Sequence, residues 1–296
     1  MKSELNRFLR YLQIEKGASE GTIEAYRLDI ERGLMPFLRE RGKFEVREIT
    51  KADIRDYMDY VATSRGNSNV TRARKLAAIK SFFNYLVEND GLEANPALSI
   101  RSPKLPQKEP EYLTEEECVR LLETIAKKSK PRVRERDIAM AILFLHTGLR
   151  ASELTKLELV NVDLAKNQIK ITRKGNKEQY LHLNTETAKA LVNYLDNRPW
   201  VQNGKFFVGT AGGNLTRSYV YDVIQKYMKL AGIVKLRHGP HVLRHTFCTR
   251  LHQKGVAPFT IKELAGHENI NTTMRYIRIE NKEQADAIDR LEFGLS

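Results

Sequence analysis

Six residues stand out by type and by where they fall: Arg150, Lys174, His241, Arg244, His267 and Tyr276. Arg150 comes just after a helix terminator in HTGLRASEL, and Glu153, three residues on, is placed to hold its guanidinium. Lys174 sits at the tip of a polar turn, KGNKE. His241 and Arg244, in HGPHVLRHTFCTRL, are three apart and project from one side of the first turn of a helix opened by Pro240. His267 follows Gly266 at the end of the next helix. Tyr276 lies between Arg275 and Arg278 in LAGHENINTTMRYIRI. With Asn271 as N-cap of a short helix, Met274 and Ile277 share its apolar face, and Tyr276 points about 130° from the middle of that face. It is therefore either a surface tyrosine or a hydroxyl aimed at something. Singly, each feature has a bland reading: an arginine after a helix is commonly a surface ion pair, and a histidine after a helix end often only caps. The order Arg, Lys, HxxR, His, Tyr within a basic segment is a set of cationic donors beside one hydroxyl.

The balance of charge names the kind of partner. The 296 residues carry a net +13, with a pI near 9.6, which points to a polyanion. Residues 1–110 hold 20 basic against 16 acidic residues, or +4, and the remainder 30 against 21, or +9, so both halves are able to touch one nucleic acid. Hydrophobic residues make up 41%, enough for real cores, and the length suggests two domains. No apolar run is long enough for a transmembrane span, and MKSELNRFLRYLQIEK lacks the apolar core of a signal peptide. Cys118 and Cys248 do not make a disulfide framework, so a reduced, cytoplasmic setting is expected.

These residues need elements to hold them. Residues 1–92 read as helices: Leu5, Phe8, Leu9 and Leu12 follow the helical repeat, Ser19 is a candidate N-cap, and Thr50 with Asp53 comes close to a capping box. NVTRARKLAAIKSFFNYLVEND is a fourth helix with Leu76, Ile79, Phe83 and Leu86 inside. Its other side bears Arg72, Arg74, Lys75 and Lys80 with no acid between them, a pattern that suits phosphate. Pro96, Pro103, Pro106 and Pro110 mark an extended linker. Thr114–Glu117 is a second capping box, Gly148 a helix stop, and NQIKITR and YLHLN a hairpin turning at Gly175–Asn176. Helices are expected near 185–197, 217–231, 240–254, 258–265, 272–278 and 281–292.

In HTGLRASELTKL, RKGNKE, KLRHGPHVLRHTFCTRL, IKELAGHENINTTMRYIRI and RARKLAAIKSFFNYL the chain resembles the tyrosine recombinases, the phage-integrase family, and within it the compact Xer type. The resemblance covers nearly the whole chain. It implies a mainly α protein with a small β-sheet: a helical, SAM-like core-binding domain over 1–104, a linker over 105–111, and an α+β catalytic domain over 112–296 that ends in an exchange helix, the two domains forming a C-shaped DNA clamp. Arg150 and Arg244 would be the paired catalytic arginines, Lys174 the hairpin lysine, His241 and His267 the two histidines, and Tyr276 the nucleophile. One departure is Arg173, where relatives commonly carry glycine, which leaves Lys177 as a second basic candidate in the turn.

The implied reaction cuts and rejoins DNA without metal, ATP or other cofactor. Two guanidinium forks would grip the non-bridging oxygens of the phosphodiester. Tyr276 would attack, His241 would take its proton, Lys174 would protonate the departing 5′-oxygen, and His267 would bond a non-bridging oxygen. The resemblance also implies double-stranded DNA with an inverted-repeat site as partner, contacted by Arg72, Arg74 and Lys80 on one side and by Arg217 and Lys226 on the other. The assembly would be a dimer per site and a synaptic tetramer, with an accessory or partner recombinase as a further option. The C-terminal helix, with Ala285, Ile288 and Leu291, would dock either on its own domain or on a neighbouring protomer. Three rivals share parts of the pattern. A type IB topoisomerase uses the same chemistry without site choice. A zinc hydrolase would use His241 and His245, but Val242 stands where its glutamate belongs. A DNA-binding regulator would keep the fold without the reaction.

Overall fold

The computed structural model describes residues 1–104, 110–173 and 175–276. The chain divides into two compact units, Met1–Gln107 and Lys108–Ser296.

The first unit is helical. Helix α1 (Lys2–Ile14) buries Leu5, Phe8 and Leu12. Helix α2 (Glu20–Asp29) starts where the Ser19 side chain accepts from the Thr22 N–H. It runs through a π-helical turn, Ile30–Leu34, into α3 (Met35–Arg39). Helix α4 (Lys51–Thr63) opens with the expected reciprocal box of Thr50 and Asp53, and α5 (Asn69–Asn89) buries Leu76, Ile79, Phe82, Phe83 and Leu86. Burial of one stripe per helix against its neighbours drives this unit together, since the helices are too short to be stable alone.

The second unit is built round α7. Helix α6 (Glu115–Lys128) is boxed by Thr114 and Glu117. Helix α7 (Pro131–Thr147) is buried along most of its length between Ala139 and Leu145. It stops at Gly148, whose φ of 61° is left-handed and whose missing Cβ leaves room for the Phe247 ring. A one-and-a-half-turn helix, α8 (Ala151–Lys156), follows directly. Strands β1 (Val162–Asp163), β2 (Gln168–Thr172) and β3 (Glu178–His182) form an antiparallel sheet in the order β1-β2-β3, with Gln168 opposite His182 and Thr172 opposite Glu178. The β2–β3 turn carries Gly175 and Asn176 at φ 76° and 59°, as the hairpin reading required. Helix α8 and strand β1 were not foreseen; both are too short to leave a periodic signal.

Helices α9 (Thr185–Asp196), α10 (Arg217–Leu230), α11 (Pro240–Gln253) and α12 (Pro258–Ala265) complete the unit, and α12 ends at the left-handed Gly266. Helix α7 packs against α6, α9 and α11. The last described helix, α13, spans Ile270–Met274 and is capped by Asn269, not Asn271. The expected helix at 281–292, with Ala285, Ile288 and Leu291, lies outside the described residues, as do Lys174, Ile277 and Arg278. Among the described residues no helix is long and apolar enough to cross a membrane.

Candidate active site

The end of α7, the first turns of α11 and the segment after α12 meet at one place, and five of the six candidate residues are there. Arg150 is the N-cap of α8. Its Nη1 donates to Glu153 Oε1 at 2.8 Å, and its backbone N–H donates to Glu153 Oε2 at 2.7 Å. Arg244, buried on the first turns of α11, donates Nη1 to the Gly148 carbonyl and Nη2 to the Ala265 carbonyl at 2.7 Å. Arg150 Nη2 donates to the next carbonyl, Gly266, at 2.9 Å. The preceding carbonyl, Leu264, accepts from Arg173 Nη2 at 2.9 Å. Three successive carbonyls at the C-terminal end of α12 therefore accept from three guanidiniums. The last carbonyls of a helix have no partner within it and carry its negative end, so cations are stabilised there.

Arg173, where the turn sequence departs from glycine, is tied into this site. Its side chain faces inward, with Nη1 on Glu153 Oε2 and Nε on Gln179 Oε1, both at 2.8 Å. Lys177 is exposed. Arg173 and Gln179 were not singled out from the sequence as site residues; the one signal was the departure from glycine at position 173.

The histidines form three contacts. His241 Nε2 lies 3.0 Å from His245 Nε2, and His245 Nδ1 lies 3.2 Å from the Glu111 carbonyl. Glu111 is itself held, because its carboxylate accepts from the Leu236 and Arg237 N–H groups at 2.9 and 3.0 Å. His267 Nδ1 pairs with the hydroxyl of the fully buried Thr273 at 2.8 Å. Burial, then the neighbouring His241, lowers His245 to about 4. Burial, then Arg244 and Arg150, lowers His267 to about 3. His241 is lowered too, first by burial and then by Arg244. All three imidazoles are neutral at pH 7, and neutral imidazole keeps one basic nitrogen.

Tyr276 departs from the expected geometry. It is 8% exposed and lies in a small core with Phe247, Cys248, Ile261 and Ala265, whereas Met274 is 44% exposed. Helix α13 has ended by then, since its C-cap is Arg275, and the Tyr276 N–H closes a turn onto the Thr273 carbonyl at 2.9 Å. A face computed as if the helix continued does not apply past its end. The ring stands edge-on to His245, centroids 5.2 Å apart, and stacks on His267 at 6.0 Å with 18° between planes. Burial raises the phenol to about 12, with Cys248 adding to the shift and Arg244 and Arg150 opposing it.

The candidate DNA contacts divide unevenly. Arg74 bonds the buried Asp29 carboxylate and Lys75 bonds it at 3.0 Å, so the acid missing from the local sequence comes from α2. Arg72 Nη2 donates to Asn69 Oδ1 at 2.7 Å, and Lys80 is half-buried on the same helix. On α10, Arg217 and Lys226 are both exposed. Nine residues separate them, about half a turn round the axis, so one flat face does not present both.

Known proteins resemble this chain in sequence and in fold. A sequence model of the Phage integrase family matches residues 111–283, and one described as Phage integrase, N-terminal SAM-like domain, matches residues 5–90. A tyrosine recombinase of Pseudothermotoga lettingae is 33% identical over 293 residues, covering 98% of this chain and 99% of that protein. The tyrosine recombinase XerC of Roseiflexus sp. is 32% identical over 295 residues, covering 97% and 93%. In fold, the chain is similar to the XerH site-specific recombinase in a post-cleavage complex with a palindromic difH substrate, at a TM-score of 0.78 and 22% identity over 97% of this chain and 94% of that one. The chain belongs to the phage integrase family, the tyrosine recombinases that catalyse site-specific DNA strand exchange.

Proposed function

We propose that Arg150, Lys174, His241, Arg244, His267 and Tyr276 carry out this strand exchange on duplex DNA through a 3′-phosphotyrosyl intermediate, without metal or ATP. The observation that carries the reading is the gathering of Arg150 and Arg244 on the adjacent carbonyls of Gly266 and Ala265, next to the stacked pair of His267 and Tyr276. Two guanidinium forks held at one spot suit the two non-bridging oxygens of a phosphodiester, which exchange places with the backbone carbonyls as partners.

Tyr276 Oη then forms a bond to phosphorus and the P–O5′ bond breaks. The phenol proton goes to an imidazole, and His241 is the candidate base because burial keeps it neutral. The 5′-oxygen leaves as a hydroxyl, with Lys174 as the proposed donor. Rejoining reverses these steps with the 5′-hydroxyl of another strand. Burial raises the phenol to about 12, so Tyr276 stays protonated at neutral pH and its attack needs a base to take the proton. Both units would contact the same inverted-repeat site, Arg72 and Lys80 through α5 and Arg217 and Lys226 through α10, with Arg74 contributing less. A dimer per site and a tetramer in synapsis are proposed for the assembly, with an accessory or partner recombinase as an option.

The test is a nicked suicide duplex carrying the native site, incubated with chelator and resolved on a denaturing gel. Wild type is expected to form a covalent adduct and Tyr276→Phe none. An adduct in the mutant would move the nucleophile elsewhere; two proteins that bind and never cleave would favour a DNA-binding regulator.

A further inference from the structure

Arg173 has no role in the chemistry above, yet it touches three parts of the site. Its Nη1 and the Arg150 Nη1 take the two oxygens of one carboxylate, Glu153 Oε2 and Oε1, each at 2.8 Å. Its Nη2 holds the Leu264 carbonyl, one residue before the carbonyl that holds Arg244. Its backbone N–H donates to the Lys177 carbonyl at 2.7 Å, closing the base of the β2–β3 turn, and Gln179 on β3 adds a second tie, Nε2 to the Glu263 carbonyl at 2.9 Å. The side chains of Arg173 and Glu153 are both buried. Gly266 leaves room for the Arg173 side chain because it lacks a Cβ, which would stand 2.5 Å from Arg173 Nε.

We infer that Arg173 is a positioning residue for strand cleavage: it shares the Glu153 carboxylate with Arg150 and fastens the β2–β3 hairpin to the end of α12. The inference rests on the reading of Arg150 and Tyr276 given above. Its physical content is a competition. Glu153 carries one negative charge between two guanidiniums. With Arg173 in place, Oε2 is occupied by Arg173 and by the Arg150 backbone N–H, and only Oε1 draws on the Arg150 side chain. Without Arg173, Oε2 keeps only the Arg150 backbone N–H, the whole negative charge of the carboxylate falls to Arg150, and the guanidinium is held on the protein more tightly in competition with the phosphate. All three side-chain nitrogens of Arg173 are engaged inside the fold, one of them on the carboxylate that also holds Arg150.

The experiment uses the full chain and the nicked duplex, measuring single-turnover adduct formation separately from DNA affinity. Arg173→Gln is expected to slow adduct formation by about tenfold to a hundredfold, with affinity within about twofold of wild type. Arg173→Lys keeps the charge beside Glu153 without the fork and is expected to recover part of the loss. Adding Glu153→Gln to Arg173→Gln removes the carboxylate left unshared, so the double variant is expected to cleave no more slowly than Arg173→Gln alone. A purely structural role predicts the opposite: two losses that multiply, with lowered thermal stability and no rescue by lysine. Arg173→Gln cleaving at the wild-type rate overturns the proposal while the reading of the site stands. Wild type that forms no adduct overturns both.

Discussion

The imidazoles of His241 and His245 meet Nε2 to Nε2 at 3.0 Å, and the direction of that hydrogen bond is set from outside the pair. The Glu111 carbonyl only accepts, so His245 Nδ1 is the donor to it. With His245 neutral, its Nε2 is a bare acceptor, and His241 donates its own Nε2–H. The free basic nitrogen of His241 is then Nδ1. His245→Phe keeps a ring against Tyr276 but removes the acceptor. Single-turnover cleavage is expected to fall roughly tenfold through loss of the correct tautomer and orientation, with unchanged binding in a gel-shift titration.

Acid should weaken the second unit before it weakens the first. His245 and His267 have folded pKa values near 4 and 3, below the ordinary 6.5. The unfolded chain therefore binds more protons than the folded one in the window between those values and 6.5. Stability is full above about pH 6.5 and is lost as pH falls through the window, by up to roughly 2 kcal/mol for each histidine between pH 7 and pH 5. Thermal unfolding of the full chain at the two pH values checks this, and His245→Phe should show the smaller drop.

Two glycines at similar φ should respond differently to alanine. Gly148 at 61° and Gly255 at 77° both lie in the left-handed region. A Cβ on Gly148 would stand 2.4 Å from the Phe247 ring, while one on Gly255 meets nothing within 4 Å. Gly255→Ala should cost about 1 kcal/mol, the left-handed strain alone. Gly148→Ala should cost about 3 kcal/mol or more, because the Phe247 packing beside Arg244 must also shift. Urea denaturation of the two variants separates strain from crowding.

Arg74 and Arg72 should part company in the same way. Asp29 is buried and holds both Arg74 and Lys75. Arg74→Ala leaves that carboxylate with one partner and should lower stability by about 1–2 kcal/mol, with little change in the salt dependence of DNA binding. Arg72→Ala should leave stability nearly unchanged and reduce the slope of log affinity against log salt by about one.

What was legible in the sequence was local. The caps at Ser19, Thr50 and Thr114, the stop at Gly148 and the turn at Gly175–Asn176 each depend on residues within four positions of one another, and each appears as expected. Arg150 with Glu153 was readable for the same reason. The misreadings are non-local. The acid that balances Arg74 is 45 residues away on α2. The orientation of Tyr276 is decided by Phe247, Cys248 and Ile261, together with a helix that stops at Met274 and so breaks the periodicity from which its face was computed. Arg173 looked like one more cation in a polar turn, since nothing nearby announces that Glu153 and Leu264 will be waiting for it.

The grip on the three arginines is made by Leu264, Ala265 and Gly266 through their carbonyls. A carbonyl is the one acceptor every amino acid brings, so exchanging the side chain of Leu264 or Ala265 does not remove it. Register does. One residue inserted into or deleted from α12 rotates those oxygens by about 100° and sends them away from the guanidiniums, with every reactive side chain still encoded. In this short stretch the length of the chain is therefore under tighter constraint than its spelling, and a gap of a single position there should silence the protein where many substitutions would pass.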